Sequence, residues 1–411
     1  MKESKIFIAA FLSSLGSSMY FVIVAWMLYE MTSDAKYTGL MVGLGFLPGI
    51  FMNMIFGIWV DRANRKRLSI IANTVITVSM AILTVSLYLD IMKPWLIITV
   101  HMSVQTFSSL FRTAQQAFIT EVFDKKHIPR IFSHNGSAVA IGGLLGTSLG
   151  GFAISYISAS NVIFSITATY VIVGLFLSSI KYDSQFTIKE KGIVSLAHDL
   201  LDSFRYIHRN PIMYGLLGIM FVGQLVVHTT AGMLSVYTSS HLNGSSTLYG
   251  ILESAASIGA IIAGLTATLY LAKSKYMVAA GALSLTAIGI LGMALTKNTY
   301  LAFSFIMLIG IGTTWVRVLM QSIQQVATEP EFYGRMAATR QTINQASVAI
   351  GAPLLGFIAD HSGIQMAYIA LLVPVGILLF FSQLLSRNRK FQLLMNSIIP
   401  IKESPKPTEA A

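Results

Sequence analysis

Gln115-Gln116-Ala117-Phe118-Ile119-Thr120-Glu121 closes one long apolar run, and Gln324-Gln325-Val326-Ala327-Thr328-Glu329 closes another. After each comes a basic residue, Arg130 or Arg335, and then an apolar run holding Val139-Ala140-Ile141-Gly142 or Val348-Ala349-Ile350-Gly351. The echo returns after about 205 to 209 residues in a chain of 411. Two stretches of apolar text do not acquire shared polar residues at matched places by chance, so the chain reads as one unit duplicated.

Outward from these runs, the chain is 54% hydrophobic and 11% charged, against roughly 25% charged in an ordinary soluble domain. Its apolar residues fall in runs rather than stripes, which a water-soluble core does not require. A bilayer does require it: about 20 apolar residues per helix satisfy every backbone N–H and C=O internally where there is no water. Twelve such runs are present, at 6–30, 38–60, 68–89, 94–118, 131–158, 161–180, 211–238, 246–272, 277–296, 299–324, 337–359 and 365–386. The first exceeds the roughly 7 to 15 apolar residues of a secretory signal and reads as a span. The fold predicted is an all-α membrane protein, with twelve transmembrane helices in two pseudo-symmetric six-helix bundles. Residues 1–180 and 211–390 form the bundles, 181–210 the linker between them, and 391–411 a cytoplasmic tail. Within the linker Ile193, Leu196, Leu200, Leu201 and Phe204 recur at helical spacing, as in an amphipathic helix on the membrane surface or a plain tether.

The connections alternate in Lys and Arg content. One set holds Lys2 and Lys5, then Arg62 with Arg65, Lys66 and Arg67, and further basic groups at 125–130, 181–209, 273–275, 335 and 387–390; the other holds only Lys36, Lys93 and Lys297. Cytoplasmic loops are enriched in these residues, so both termini are expected in the cytoplasm of a multi-pass cell-membrane protein. The net charge of +11 is confined to these short segments and does not form a nucleic-acid surface. With no cysteine, disulfides and thiolate metal sites are excluded. The eight histidines make no metal-type cluster, and neither a phosphate-binding Gly-x-x-x-x-Gly-Lys-Ser/Thr nor a catalytic triad is present. The chain is therefore read as a non-enzyme with no cofactor and no metal.

Polar residues inside the spans are costly in lipid and mark functional positions. His101, Gln105, Ser108 and Arg112 share one face of the fourth span by the 3.6-residue period, as do Thr313, Arg317, Gln321 and Gln324 in the tenth, and Arg340, Asn344, Ser347 and Gly351 in the eleventh. The three arginines either face a wet substrate cavity or latch the inner side through Asp61, Glu121 or Glu329. Glu253 is the one carboxylate well inside a predicted span, with Gly250, Ser254 and Ser257 on its face. A carboxylate in an apolar interior can load and release a proton near neutral pH, so Glu253 is the leading coupling candidate unless it sits solvated near a helix end. Gln224 and His228 form the next polar pair, either packing or a second proton site.

Gly57-Ile58-Trp59-Val60-Asp61-Arg62-Ala63-Asn64-Arg65-Lys66-Arg67 joins the second and third spans. Here Gly57 allows close helix approach, and Asp61, Arg62 and Arg65 can form a cytoplasmic gate. The fifth span holds Gly142-Gly143-Leu144-Leu145-Gly146-Thr147-Ser148-Leu149-Gly150-Gly151, overlapping Gly-x-x-x-Gly steps that let backbones pack closely. The loop resembles the signature of the major facilitator superfamily, with Asn64 for its usual Gly. The fifth span resembles that superfamily's antiporter signature in Gly142, Gly146, Gly150 and Gly151, with Thr147 for its Pro and Ser133 for a Gly. Helix packing alone is the other reading of these glycines.

Leu110-Phe111-Arg112-Thr113-Ala114-Gln115-Gln116 and Phe204-Arg205-Tyr206-Ile207-His208-Arg209-Asn210-Pro211 resemble the subgroup containing the enterobactin exporter and macrolide efflux proteins. A first-helix Gly-Asp of many such proteins is Gly16-Ser17 here, so no role of that Asp transfers. The resemblance implies a bacterial secondary exporter acting as a monomer, with proton-coupled alternating access and a substrate held between the halves. Three membrane-depth arginines against one carboxylate favour an anionic or zwitterionic cargo such as a siderophore or other metallophore. Multidrug or macrolide efflux is the alternative, and a non-transporting membrane receptor or scaffold the alternative of another class. The partners expected are the small-molecule substrate, protons and the lipid bilayer.

Overall fold

The computed structural model describes residues 2–124, 127–180, 205–329 and 332–398, and these form helices without strands. The helices are α1 (Lys2–Thr32), α2 (Ala35–Arg62), α3 (Arg65–Tyr88), α4 (Pro94–Val122), α5 (Ile128–Tyr156), α6 (Ala159–Ser178), α7 (Ile212–Val236), α8 (Ser246–Ser274), α9 (Val278–Leu295), α10 (Thr299–Ala327), α11 (Tyr333–Ser362), α12 (Ile364–Arg387) and α13 (Arg389–Ile398). Twelve of them match the twelve apolar runs. Local chemistry starts several: the side chains of Asp34, Asn64, Ser245 and Asn298 cap first-turn amides, and Pro94 opens α4 where its missing N–H costs nothing.

Among the described residues, ten stretches are long and apolar enough to cross a bilayer. One of them, Ser246–Leu295, holds both α8 and α9, and α4 falls outside the ten. Several of its polar residues, His101, Thr106, Ser109 and Gln115, are buried within the protein. Outward, Ile71, Val78, Ile82 and Val85 of α3 and Val373, Ile377, Phe380 and Phe381 of α12 are exposed in continuous stripes. Exposing such a side chain to water costs about 1.5–3 kcal/mol, so the stripes need lipid.

Neighbour relations repeat with a shift of six helices. In the first half α1 packs on α5 and α6, α4 on α2 and α3, and α3 on α6; in the second α7 packs on α11 and α12, α10 on α8 and α9, and α9 on α12. Two seams, α2 against α11 and α5 against α8, join the halves and are related by the same shift. Both seams close at one end of the bundle. Gly39 lies so near α11 that a methyl group there would fall 2.5 Å from the Ala352 carbonyl and 2.9 Å from Cα of Gly356. Further along, Gly49 lies against the Gln345 amide. In the other seam Ser155 meets Ser246 at 2.6 Å and Gly151 meets Gly250 backbone to backbone. At that end Lys36 pairs with Asp34 and reaches Asp360 of the other half at 3.8 Å.

At the opposite end, which carries Arg65, Lys66 and Arg67, the seams part. Gly57, Gly136 and Gly264 meet no neighbouring helix within 4 Å of a methyl placed on them. The expectation that Gly57 permits close helix approach is therefore corrected for this conformation: α2 and α11 have already diverged there. The molecule is a V, shut at the Asp34 end and open at the Arg65 end.

Part of the expected tail is described, and the rest, 399–411, lies outside the described residues. Residues 389–398 form α13, whose Phe391 and Met395 are buried, and Tyr276 donates to Asn396 Oδ1 at 2.7 Å. The linker stretch with the amphipathic pattern, up to Phe204, lies outside the described residues; 205–209 are helical.

Candidate functional site

A cavity of about 310 Å³ lies between α7, α8, α10 and α11. It gathers Gln224, His228, Glu253 and Arg317, together with Gln321, Arg340 and Asn344. Each arrives by helical period from a different segment: Gln224 and His228 one turn apart on α7, Arg317 and Gln321 one turn apart on α10, Arg340 and Asn344 one turn apart on α11. Glu253 stands toward the closed end, and Gln321 and Arg340 toward the open one.

Within the cavity polar groups remain available. Glu253 is 7% exposed and its Oε1 has no hydrogen-bond partner among the described residues; the same holds for Asn344 Oδ1. Glu253 is thus not a solvated helix-end carboxylate. The face it shares with Gly250, Ser254 and Ser257 divides: Ser257 lines the cavity, Gly250 packs on Gly151, and Ser254 bonds Ser148. Arg340 donates to Gln324 Oε1 at 2.8 Å, a contact within the second half. Arg317 is accessible from the cavity, and no ion pair to it is found among the described residues.

The α4 stripe is graded. His101 is 1% exposed, its ring stacked on Tyr20 at 5.9 Å and tilted against Phe21 at 6.0 Å, with both ring nitrogens unpartnered. It packs so closely on α2 that a methyl at Gly45 would lie 2.7 Å from its Cδ2. His101 therefore does not line the cavity, contrary to the expectation drawn from its stripe, because the stripe enters the closed part of the first half there. Gln105, one turn on, is half-buried, and Arg112, two turns further, is exposed where the V opens. Arg112 and Arg317, one from each half, both act electrostatically on His228, whose ring meets Phe46 of the first half edge-on at 4.5 Å.

The expected gate is only partly seen. The side chains of Asp61 and Arg62 lie outside the described residues. Arg65 approaches Glu121 at 3.7 Å and donates to the Ala117 carbonyl at 3.3 Å. Both partners belong to α4 of its own half, so Arg65 fastens α3 to α4 rather than latching the halves together.

The fifth-helix glycines divide between two partners. Gly142 and Gly146 seat α5 on the α1 backbone at Phe11 and Leu15, Gly150 seats it at Met19, and Gly151 faces Gly250 across the seam. Packing accounts for all four. Sequence reasoning missed Tyr249 and Tyr368, whose buried hydroxyls lie within electrostatic reach of Glu253. For Tyr249 a signal existed: it stands one turn before Glu253 on the same helix.

The Major Facilitator Superfamily model matches residues 6–322 and, in a second overlapping match, 221–393. An uncharacterized MFS-type transporter of Bacillus subtilis (strain 168), YvqJ, is 22% identical over 386 residues, covering 89% of each chain. Macrolide efflux protein A of Streptococcus pyogenes is 19% identical, covering 86% of this chain and 88% of its own. Multidrug efflux pump Tap of Mycolicibacterium fortuitum is 21% identical, covering 94% and 96%. Among solved structures, a bacterial homologue of the human lysosomal transporter Spinster, in an inward-facing and unoccupied conformation, superposes with a TM-score of 0.77 at 14% identity, over 96% of this chain and 98% of that one. From helix order, seams and family match together, the chain belongs to the major facilitator superfamily.

Proposed function

We propose that the protein is a secondary active exporter of an anionic or zwitterionic small molecule, such as a siderophore or other metallophore, driven by proton antiport. The observation that carries this reading is the cavity, where Arg317 and Arg340 of the second half line the same space as a single buried carboxylate, Glu253, while Arg112 of the first half acts electrostatically on His228 in its wall. Cationic groups held at membrane depth without a carboxylate partner favour an anionic ligand group. The Arg65 end is cytoplasmic by its Lys and Arg content, so the cavity loads from the cytoplasm. Residues 1–180 and 211–390 then rock about the two seams to release cargo outside. Glu253 carries the counter-transported proton.

A second reading, multidrug or macrolide efflux, is favoured by two relatives, macrolide efflux protein A and multidrug efflux pump Tap. The cellular experiment separates them. Deletion of the gene is expected to lower extracellular chelator and raise it inside the cell, with minimum inhibitory concentrations of macrolides and cationic dyes unchanged. Unchanged chelator partitioning with lowered inhibitory concentrations would overturn the metallophore reading in favour of drug efflux.

A further inference from the structure

We infer that Tyr368, with Thr230 and Tyr249 beside it, is the relay through which Glu253 exchanges its proton with the Asp34 end of the protein, by a route separate from the substrate cavity. This rests on the reading of Glu253 as the coupling carboxylate.

The geometry begins at Glu253. Glu253 Oε1 has no hydrogen-bond partner among the described residues, and neither do three buried hydroxyls: that of Thr230, which lines the same cavity, and those of Tyr249 and Tyr368, both within electrostatic reach of Glu253. Buried hydroxyls are nearly always bonded, and an unbonded one costs about 1–3 kcal/mol. Four such groups from α7, α8 and α12, set beside cavities that admit water, form a set that water or one another can bridge into a file. Thr230 lines the main cavity and also a second cavity of about 10 Å³ that Tyr368 lines from the other side. That space is about what one water molecule occupies.

Beyond Tyr368 the polar file continues to the closed end. Tyr237 lies edge-on to Tyr368 at 5.5 Å, and its hydroxyl donates to the Thr296 carbonyl at 3.0 Å. His241 Nε2 approaches the same carbonyl at 2.9 Å, and its Nδ1 lies 2.6 Å from Gln365 Nε2. A carbonyl only accepts, so Nε2 carries the proton and Nδ1 accepts from Gln365. His241 and Gln365 line a third cavity, of about 280 Å³, which Asp360 and Ser240 also line at the Asp34 end.

The proton balance is simple. Once Gln365 and the Thr296 carbonyl let go, His241 takes one proton at Nδ1 from water in the Asp34-end cavity and releases the one on Nε2 to the Tyr237 oxygen; Tyr237, Tyr368 and Thr230 each accept one and pass their own forward, and the Glu253 carboxylate ends protonated, with no net charge left on the histidine, the tyrosines or the threonine. Glu253 already faces a cavity open to the Arg65 end, and a connected file would let protons leak straight through. The file is therefore expected to connect when the halves rock and the cavity shuts at the Arg65 end. His228, Arg317 and Arg340 face Glu253 from the cavity side, from α7, α10 and α11, and Tyr368 faces it from α12.

The test uses the full chain in liposomes, sorted by orientation through a C-terminal affinity tag, with an external acid pulse as the only probe. The infrared carbonyl band of protonated Glu253 is assigned by its loss in Glu253→Gln. With the Asp34 end outward, Tyr368→Phe is expected to slow the rise of this band at least tenfold; with the Arg65 end outward the rise should match wild type, which also reports correct folding. Equal rates for Tyr368→Phe and wild type in both orientations would overturn the relay while leaving Glu253 in its role. If no band distinguishes wild type from Glu253→Gln, Glu253 does not take up the proton, and both readings fall.

Discussion

Ser148 on α5 and Ser254 on α8 share a hydrogen bond of 2.6 Å across the division between the two halves, and the preceding residue, Glu253, lines the cavity. The coupling candidate and the gate therefore sit on one turn of one helix. One turn nearer the closed end, Gly250 packs on Gly151 with no space for a side chain. Overpacking a tight contact costs about 1–3 kcal/mol, enough to reverse the balance between two conformers that differ by a few kcal/mol. Gly250→Leu is expected to prise the Asp34 end apart. Because the chain has no native cysteine, a single Ser246→Cys label, at a seam position 7% exposed here, reports this directly: maleimide reactivity should rise in the Gly250→Leu background, and an unchanged rate would count against the seam as a gate.

The same seam predicts the other conformation. Ser155 stands opposite Ser246 and Gly151 opposite Gly250. Carrying that antiparallel register toward the Arg65 end sets Gly136 within a residue of Gly264, two glycines that face open space here. They are expected to meet when the V closes at that end, where only small residues would fit. Gly136→Cys with Gly264→Cys should form a disulfide under oxidant, which needs Cα atoms within about 7 Å, and should block transport until reduced. Two freely reactive thiols that never cross-link during turnover would refute the register.

Much of this was legible in the sequence, for identifiable reasons. Apolar runs and a polar repeat report helix number and duplication directly, and the 3.6-residue period placed Arg317 with Gln321 and Arg340 with Asn344 on faces that do meet in one cavity. Periodicity gives a face, however, and not a depth along a V. His101 and Arg112 share a stripe, yet one is sealed against Tyr20 and the other exposed. Gly57 and Gly39 look alike in the text of α2, and only the divergence of the helices distinguishes them. Lys36 reaching Asp360 and Tyr368 approaching Glu253 are long-range meetings that no local pattern encodes.

Glu253 should separate coupling from transport. Glu253→Gln keeps the shape and removes the ionisation. Gradient-driven accumulation in liposomes is expected to vanish while counterflow exchange persists, because exchange needs only alternating access with cargo bound. Accumulation at the wild-type level would remove Glu253 from the coupling role.

Arg317 should act on affinity. A hydrogen bond to a charged group contributes about 1.5–3 kcal/mol, or roughly tenfold to a hundredfold in binding. Arg317→Gln is expected to raise KM for an anionic cargo by that factor, and to leave a neutral or cationic one largely unaffected. A uniform loss across cargo charges would point to helix packing instead.

Helix α13 lies outside the twelve spans, and its stability should be cooperative. Phe391 is 1% exposed and Met395 0%, one turn apart on a face turned to the protein, while Leu393 is 62% exposed. A helix of ten residues does not hold its shape alone, since isolated helices below about 12–15 residues are marginal in water. Removing either anchor should then release the whole helix, together with the bond from Tyr276 to Asn396. Phe391→Ala, Met395→Ala and the double variant are accordingly expected to lower the melting temperature by nearly the same amount, and all three should expose the backbone near Lys390 to trypsin. Full additivity would mean that the anchors act independently, with α13 staying docked on whichever one remains.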